Sequence, residues 1–74
     1  AYEALRQLLK GMRLEAGLTQ AELGQEFGRP HTFVHKCESG DRRIDPIEFA
    51  RWCLACEVLP ASAMEQLVKR SRVG

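Results

Sequence analysis

The chain has 74 residues, 45% of them hydrophobic and 28% charged, a balance typical of a folded domain. A chain of this length has room for one small core, which excludes enzymes built from two domains or from layered sheets. Eleven Lys and Arg residues against ten Asp and Glu residues give a net charge of +1, so the total charge does not indicate a class of partner.

Membrane and secreted proteins are disfavoured by simple features of the sequence. The apolar runs are only a few residues long, too short to span a membrane. The first residues do not form a basic region followed by an apolar stretch, so we expect no signal peptide. Three cysteines, Cys37, Cys53 and Cys56, are an odd number and do not form a secreted disulfide framework. We therefore expect a cytoplasmic protein with no membrane partner.

The first predicted helix has one apolar face and ends at Gly17, which suits a left-handed cap. Thr19 and Glu22 form a capping box that begins a short second helix, and Gly28 ends it. The apolar face of the first helix contains Tyr2, Leu5, Leu9, Met12 and Ala16, with Leu8 at its edge.

A turn of three residues joins the second predicted helix to the third. Pro30 sets the backbone of the first turn of the third helix, which runs to about Glu38. So short a connection makes the two helices cross steeply, which predicts a helix-turn-helix over about residues 20–38. Gly24 lies where this crossing requires a small residue.

Two further helices follow, and no segment alternates as a strand does. Asp45 caps the fourth helix, and the fifth begins at Pro60 or at Ser62. The sequence therefore predicts an all-α, compact five-helix domain over residues 1–70, followed by a frayed tail over residues 71–74.

The outer face of the third predicted helix is polar and contains no acidic residue. A solvated helix usually alternates the sign of its charges, and this face does not. From residue 29 to residue 43 there are four Lys or Arg residues against Glu38 and Asp41, which leaves a local charge of +2. The face contains His31, Thr32, His35, Lys36 and Ser39.

Residues 5–58 resemble the lambda-repressor-like helix-turn-helix domain, of the Xre or Cro type, of bacterial and phage transcriptional regulators. The resemblance depends on the stretch RLEAGLTQAEL over 13–23, then Phe27-Gly28, Val34, and Glu38-Ser39-Gly40. Two departures from the family pattern are Gly24, where alanine is usual, and Glu57, where glycine usually follows the fourth helix. The second departure predicts that the fourth helix extends further.

The resemblance implies that the third helix enters the major groove of DNA. It implies base contacts by His31, Thr32, His35 and Lys36, and phosphate contacts by Gln20, Ser39, Arg42 and Arg43, with Arg29 beside them. It also implies an ion pair between Arg13 and Glu38 that fastens the first helix to the third. The side chains suit these roles, since a lysine can donate to guanine O6 and N7 and a threonine can meet a thymine methyl.

These features favour a transcriptional regulator that binds a double-stranded DNA operator sequence-specifically, most often a repressor. Two alternatives stay open: an antitoxin that represses its own promoter, and a protein-interaction module that has kept the fold and lost DNA binding. We expect no enzyme, because no nucleophile–base pair, phosphate loop or carboxylate pair has suitable spacing. We expect no cofactor, and the sequence does not indicate a small-molecule effector.

Two groups of residues raise the possibility of a metal site. Cys53 and Cys56 are spaced as a CxxC pair, but they share the core face of one helix and no second pair has motif spacing. We interpret them as small apolar core residues. His31 and His35 are spaced to chelate a metal, but we interpret them as solvated or facing DNA, and we predict no metal site.

A second apolar stripe on the fourth helix faces away from the first and needs a cover. A dimer with two-fold symmetry would read two half-sites about one helical turn of DNA apart. We therefore predict a homodimer through the fourth and fifth helices, with Ile47, Leu54, Val58, Met64 and Leu67 as the candidate contacts.

Overall fold

The computed structural model describes the backbone of residues 2–73 and the side chains of residues 2–71, and within that range it contains helices and no strands. The all-α prediction is confirmed. The elements are α1 (Tyr2–Glu15), α2 (Gln20–Glu26), α3 (His31–Ser39), α4 (Pro46–Ala55) and α5 (Pro60–Val73).

Local capping fixes where α2 and α4 begin. The Glu22 amide donates to Thr19 Oγ1 at 3.0 Å, and the Thr19 amide donates to Glu22 Oε1 at 2.8 Å. At α4 the Glu48 amide donates to Asp45 Oδ1 at 2.7 Å, and the Asp45 amide donates to Glu48 Oε1 at 3.0 Å. Both capping boxes satisfy amides that would otherwise lack partners at a helix start.

The core forms around Trp52, which is completely buried and donates from its indole Nε1 to the Leu9 carbonyl at 3.0 Å. Cys37, Cys53 and Cys56 are buried in the same core. Burial raises the pKa of all three thiols, that of Cys56 to about 11. They are therefore protonated at neutral pH and pack as small apolar side chains. Leu8, placed at the edge of the apolar face by its spacing, is buried, whereas Ala16 is exposed.

The end of α4 differs from the prediction. The helix does not extend past the usual position but ends at Ala55, and Glu57 adopts the left-handed backbone conformation with φ of 60°. The Val58 amide donates to the Cys53 carbonyl at 2.8 Å, which closes the helix end in the manner normally assisted by glycine. The turn therefore forms although a residue with a side chain does not favour this backbone conformation, and α5, which follows it, packs against α1 and α4.

Helix α5 begins at Pro60 rather than Ser62 and continues through Val73. Of the tail predicted to fray, residues 71–73 have helical backbone, and Gly74 lies outside the described residues. Lys69 and Arg70 lie near the C-terminal end of this helix, where positive charges interact favourably with the helix dipole.

Candidate nucleic-acid interface

The crossing of α2 and α3 depends on Gly24. A Cβ atom at this position would lie 2.7 Å from the Arg29 carbonyl oxygen and 3.1 Å from that of Pro30. The Arg29 amide donates back to the Gly24 carbonyl at 2.9 Å, so the turn folds directly over the glycine. The backbone contact therefore sets how α3 leaves α2.

A buried ion pair fastens α3 to the rest of the domain. Arg13 donates from Nε to Glu38 Oε2 at 2.7 Å and from Nη2 to Glu38 Oε1 at 3.1 Å, and its side chain is only 9% exposed. Arg13 also donates to the Leu18 carbonyl at 2.9 Å, and the bond to Glu38 raises the pKa of Arg13. Gln20 joins the group, since its Nε2 donates to Glu38 Oε1 at 3.2 Å. The network links α1, α2 and α3 through one carboxylate.

The outward face of α3 carries the side chains for which base contacts are predicted. His31, Thr32, His35 and Lys36 are all exposed, as is Ser39 in the last turn, whose hydroxyl donates to the Lys36 carbonyl at 3.2 Å. None of these five side chains is acidic. Beside them runs a shallow groove lined by Arg29, Pro30, Thr32, Phe33, Lys36 and Arg42.

The three flanking arginines are in different states. Arg29 is exposed and stacks on Phe33, with its Cζ atom 4.9 Å from the ring centroid. Arg43 is exposed and stacks on Tyr2 at 4.4 Å. Arg42 is half-buried and donates from both terminal nitrogens to the Glu48 carboxylate, each at 2.9 Å. The sequence does not predict this last pair, because the two residues lie in different elements and their spacing matches no local motif.

Arg6 is a second residue at this surface that the sequence does not single out. Its Nη1 donates to the Ser39 carbonyl at 3.2 Å, at the C-terminal end of α3. Its Cδ atom would lie 2.8 Å from a Cβ on Gly40, a residue that has φ of 90°. The hydrogen bond joins α1 to the last residue of α3, across 33 residues of sequence, and the Arg6 side chain occupies the space that a side chain at position 40 would need.

A model of the helix-turn-helix domain family matches residues 4–69 of the chain. The chain belongs to the XRE-type helix-turn-helix family. Among solved structures it is similar to an XRE-family-like protein from Pseudomonas syringae pv. tomato str. DC3000, with 40% identity and a TM-score of 0.86 over 93% of this chain and 84% of that chain. A search of curated proteins gives no match. At the level of the family, the chain is a DNA-binding regulator.

The apolar stripe proposed for dimerisation is only partly exposed in this XRE-type domain. Ile47 and Leu54 project from α4 with 71% and 61% of their surfaces accessible, and Met64 on α5 is also exposed. Val58 and Leu67 are instead partly buried against the domain's own core. The reason is that α5 folds back onto α1 and α4, so it covers part of the stripe itself.

Within the described part of this XRE-type domain, no helix is long and apolar enough to cross a membrane. Nor do three or more His, Cys, Asp or Glu side chains come together there in a way that would hold a metal ion.

Proposed function

We propose that this XRE-type domain binds a specific sequence of double-stranded DNA by placing α3 in the major groove, and acts as a repressor by occupying an operator. His31, Thr32, His35 and Lys36 are the base-reading residues of the proposal. The observation that carries it is the outward face of α3, which is exposed, free of acidic side chains and supported from behind by the buried pair of Arg13 and Glu38.

Contacts to the phosphates are assigned to residues around that face. Gln20, at the first turn of α2, keeps a second amide N–H that the bond to Glu38 does not use. Arg29 and Arg43 are exposed, the first just before α3 in the chain and the second in the loop after it, and their stacking on aromatic rings restricts where their charges lie. Ser39 offers a hydroxyl at the end of the helix. Phosphate contacts position the protein and supply affinity, whereas base contacts supply the choice of sequence.

The first experiment is selection of bound duplexes from a random pool, followed by affinity measurements on the selected duplex and on a scrambled one. Lys36→Ala should reduce the preference for the selected duplex, by about 1–3 kcal/mol if the lysine reads one base. Arg43→Ala should weaken binding to both duplexes similarly, and its salt dependence should become less steep by about one unit.

Lys69→Ala is the matched control, because it also removes one positive charge. Lys69 lies on α5, its side chain is 75% exposed, and its amine lies 3.7 Å from the Glu65 carboxylate. It should leave both the preference and the salt dependence close to those of the wild type. If no duplex is enriched, or if the three variants lose affinity equally on both duplexes, the proposed mode of binding is wrong.

The proposal includes a homodimer formed by α4 and α5, through the exposed side chains of Ile47, Leu54 and Met64. A dimer of this kind predicts that the selected duplex contains two half-sites about 34–36 Å apart, or a multiple of that spacing. Sedimentation at tens of micromolar should give twice the monomer mass, and Leu54→Glu should reduce it to the monomer mass. Leu14→Glu is the control, since Leu14 is also exposed but lies on α1. A monomer mass for the wild type would contradict the dimer without affecting the proposed role of α3.

A further inference from the structure

The Arg42 side chain is held on several sides by protein groups. Both terminal nitrogens donate to the two oxygens of Glu48 at 2.9 Å, and Nη1 also donates to the Arg43 carbonyl at 3.0 Å. One face of the guanidinium stacks on Phe33, with its Cζ atom 4.9 Å from the ring centroid. A two-bond fork of this kind fixes the orientation of an arginine as well as its position.

The contacts of Arg42 join three parts of the interface. Phe33 belongs to α3 and is buried beneath its outward face. Arg43 belongs to the loop between α3 and α4, and Glu48 belongs to the first turn of α4. The Glu48 side chain is itself fixed, because it is only 13% exposed and accepts the Asp45 amide in the capping box of α4. The fork therefore ties α3 and the loop to a helix start that has its own hydrogen bonds.

The positive charge of Arg42 is neutralised by the carboxylate of Glu48. The bond from Arg42 is the largest of the effects that lower the pKa of Glu48, so this carboxylate is ionised at neutral pH. The ion pair of Arg42 and Glu48 has no net charge that would attract a phosphate. A phosphate that took the terminal nitrogens of Arg42 would leave a mostly buried carboxylate without its partner, which is costly. Arg43 and Arg29, in contrast, carry exposed guanidinium groups with no carboxylate bound to them among the described residues.

We propose that Arg42 and Glu48 are positioning residues for DNA binding, and that Arg42 is not a phosphate ligand. The pair holds α3 at a fixed angle to α4 and holds the loop so that Arg43 points to the DNA backbone. This inference depends on the proposed function, and it replaces the phosphate contact predicted for Arg42 from the family resemblance.

The test is the affinity of Glu48→Gln for the selected duplex over a range of salt concentrations. The amide replaces one accepting oxygen by donors that face the guanidinium, so the fork is lost. For a positioning pair, binding weakens by about three- to tenfold and the slope of log affinity against log salt stays the same. If Arg42 is a phosphate ligand that Glu48 restrains, binding instead tightens and the slope steepens by about 0.9. The two models thus predict changes of opposite sign.

Arg42→Lys gives a second, independent test of whether Arg42 is a positioning residue or a phosphate ligand. Lysine keeps the charge but loses the fork and the planar stacking. The positioning model predicts that this variant binds about as weakly as Glu48→Gln and that the double variant is no weaker than either single one. Near-normal affinity of Arg42→Lys would overturn the inference, because a phosphate ligand needs mainly the charge.

Two controls separate the possible failures. Glu65→Gln removes an exposed acid on α5, whose side chain is 74% exposed, and measures the effect of net charge alone. Circular dichroism establishes that each variant is folded at the temperature of the binding measurement. If the wild type binds no duplex, the proposed function fails and this inference fails with it. If the wild type binds and Glu48→Gln binds more tightly than Glu65→Gln, only this inference fails.

Discussion

Substitution of Gly24 by alanine tests whether the crossing of α2 and α3 is as close as the structure indicates. Inside a helix, alanine is ordinarily more stable than glycine by about 1 kcal/mol. Here the new Cβ would lie 2.7 Å from the Arg29 carbonyl oxygen and 3.2 Å from the Pro30 carbonyl carbon. Both neighbours are backbone atoms of a tight turn, so the turn itself has to move.

The change in the free energy of unfolding is the cost of overpacking minus the gain in helix propensity. Overpacking of this kind costs about 1–3 kcal/mol, and a contact this short belongs at the upper end of that range. After subtraction of the gain in helix propensity, we expect Gly24→Ala to lower the free energy of unfolding by about 1–2 kcal/mol. A loss of 1 kcal/mol lowers the Tm of a domain this small by about 4–8 °C.

Gly11→Ala is the matched control, because Gly11 lies inside α1 and a Cβ there has no neighbour within 4 Å. The same substitution should therefore raise the free energy of unfolding by about 0.5–1 kcal/mol. Thermal and urea unfolding, followed by circular dichroism, should place the two variants on opposite sides of the wild type. Gly24→Ala should also weaken binding to the selected duplex, since α3 is displaced. If Gly24→Ala stabilises the domain as much as Gly11→Ala does, the close crossing of α2 and α3 is refuted.

Three further predictions concern single carboxylates. Glu57→Gly should raise the free energy of unfolding by about 0.5–1 kcal/mol, because glycine tolerates the φ of 60° at this position; a lower Tm would contradict it. Glu38→Gln should lower the free energy of unfolding by about 3 kcal/mol in urea titrations, because it leaves the buried Arg13 charge unpaired, and an unchanged midpoint would count against the pair. The lowered pKa of Glu48 makes its ion pair with Arg42 stabilising above the ordinary pKa of glutamate, and this contribution is lost as the pH falls through the lowered value. Acidification should therefore lower the Tm of the wild type more than that of Glu48→Gln, and equal decreases would argue against the assignment.

The features that the sequence predicts well are those specified within a few residues. The capping box at Thr19 and the capping residue Asp45 place the starts of α2 and α4, because each signal lies within four positions. Gly24 is also predictable, since a three-residue turn leaves few ways for two helices to cross. The family pattern supplies the pair of Arg13 and Glu38, which spacing alone does not.

The features that the sequence does not predict depend on tertiary packing. Glu48 meets Arg42 only because the loop after α3 folds back on the start of α4. Arg6 reaches the end of α3 only when α1 has packed beside it. The turn at Glu57 goes against the local preference for glycine, so sequence rules extend α4 too far. Leu67 looks available for a partner in a helical projection, but α5 turns it toward its own core.

The position of Trp52 gives the domain a built-in optical reporter. It is the sole tryptophan of the chain, and its indole lies in the interior with its N–H bonded to the Leu9 carbonyl. Its fluorescence emission should shift to longer wavelength when water reaches the core, and should change little when DNA covers the far side of α3. Unfolding of the untagged domain can therefore be followed by its own fluorescence whether or not DNA is bound.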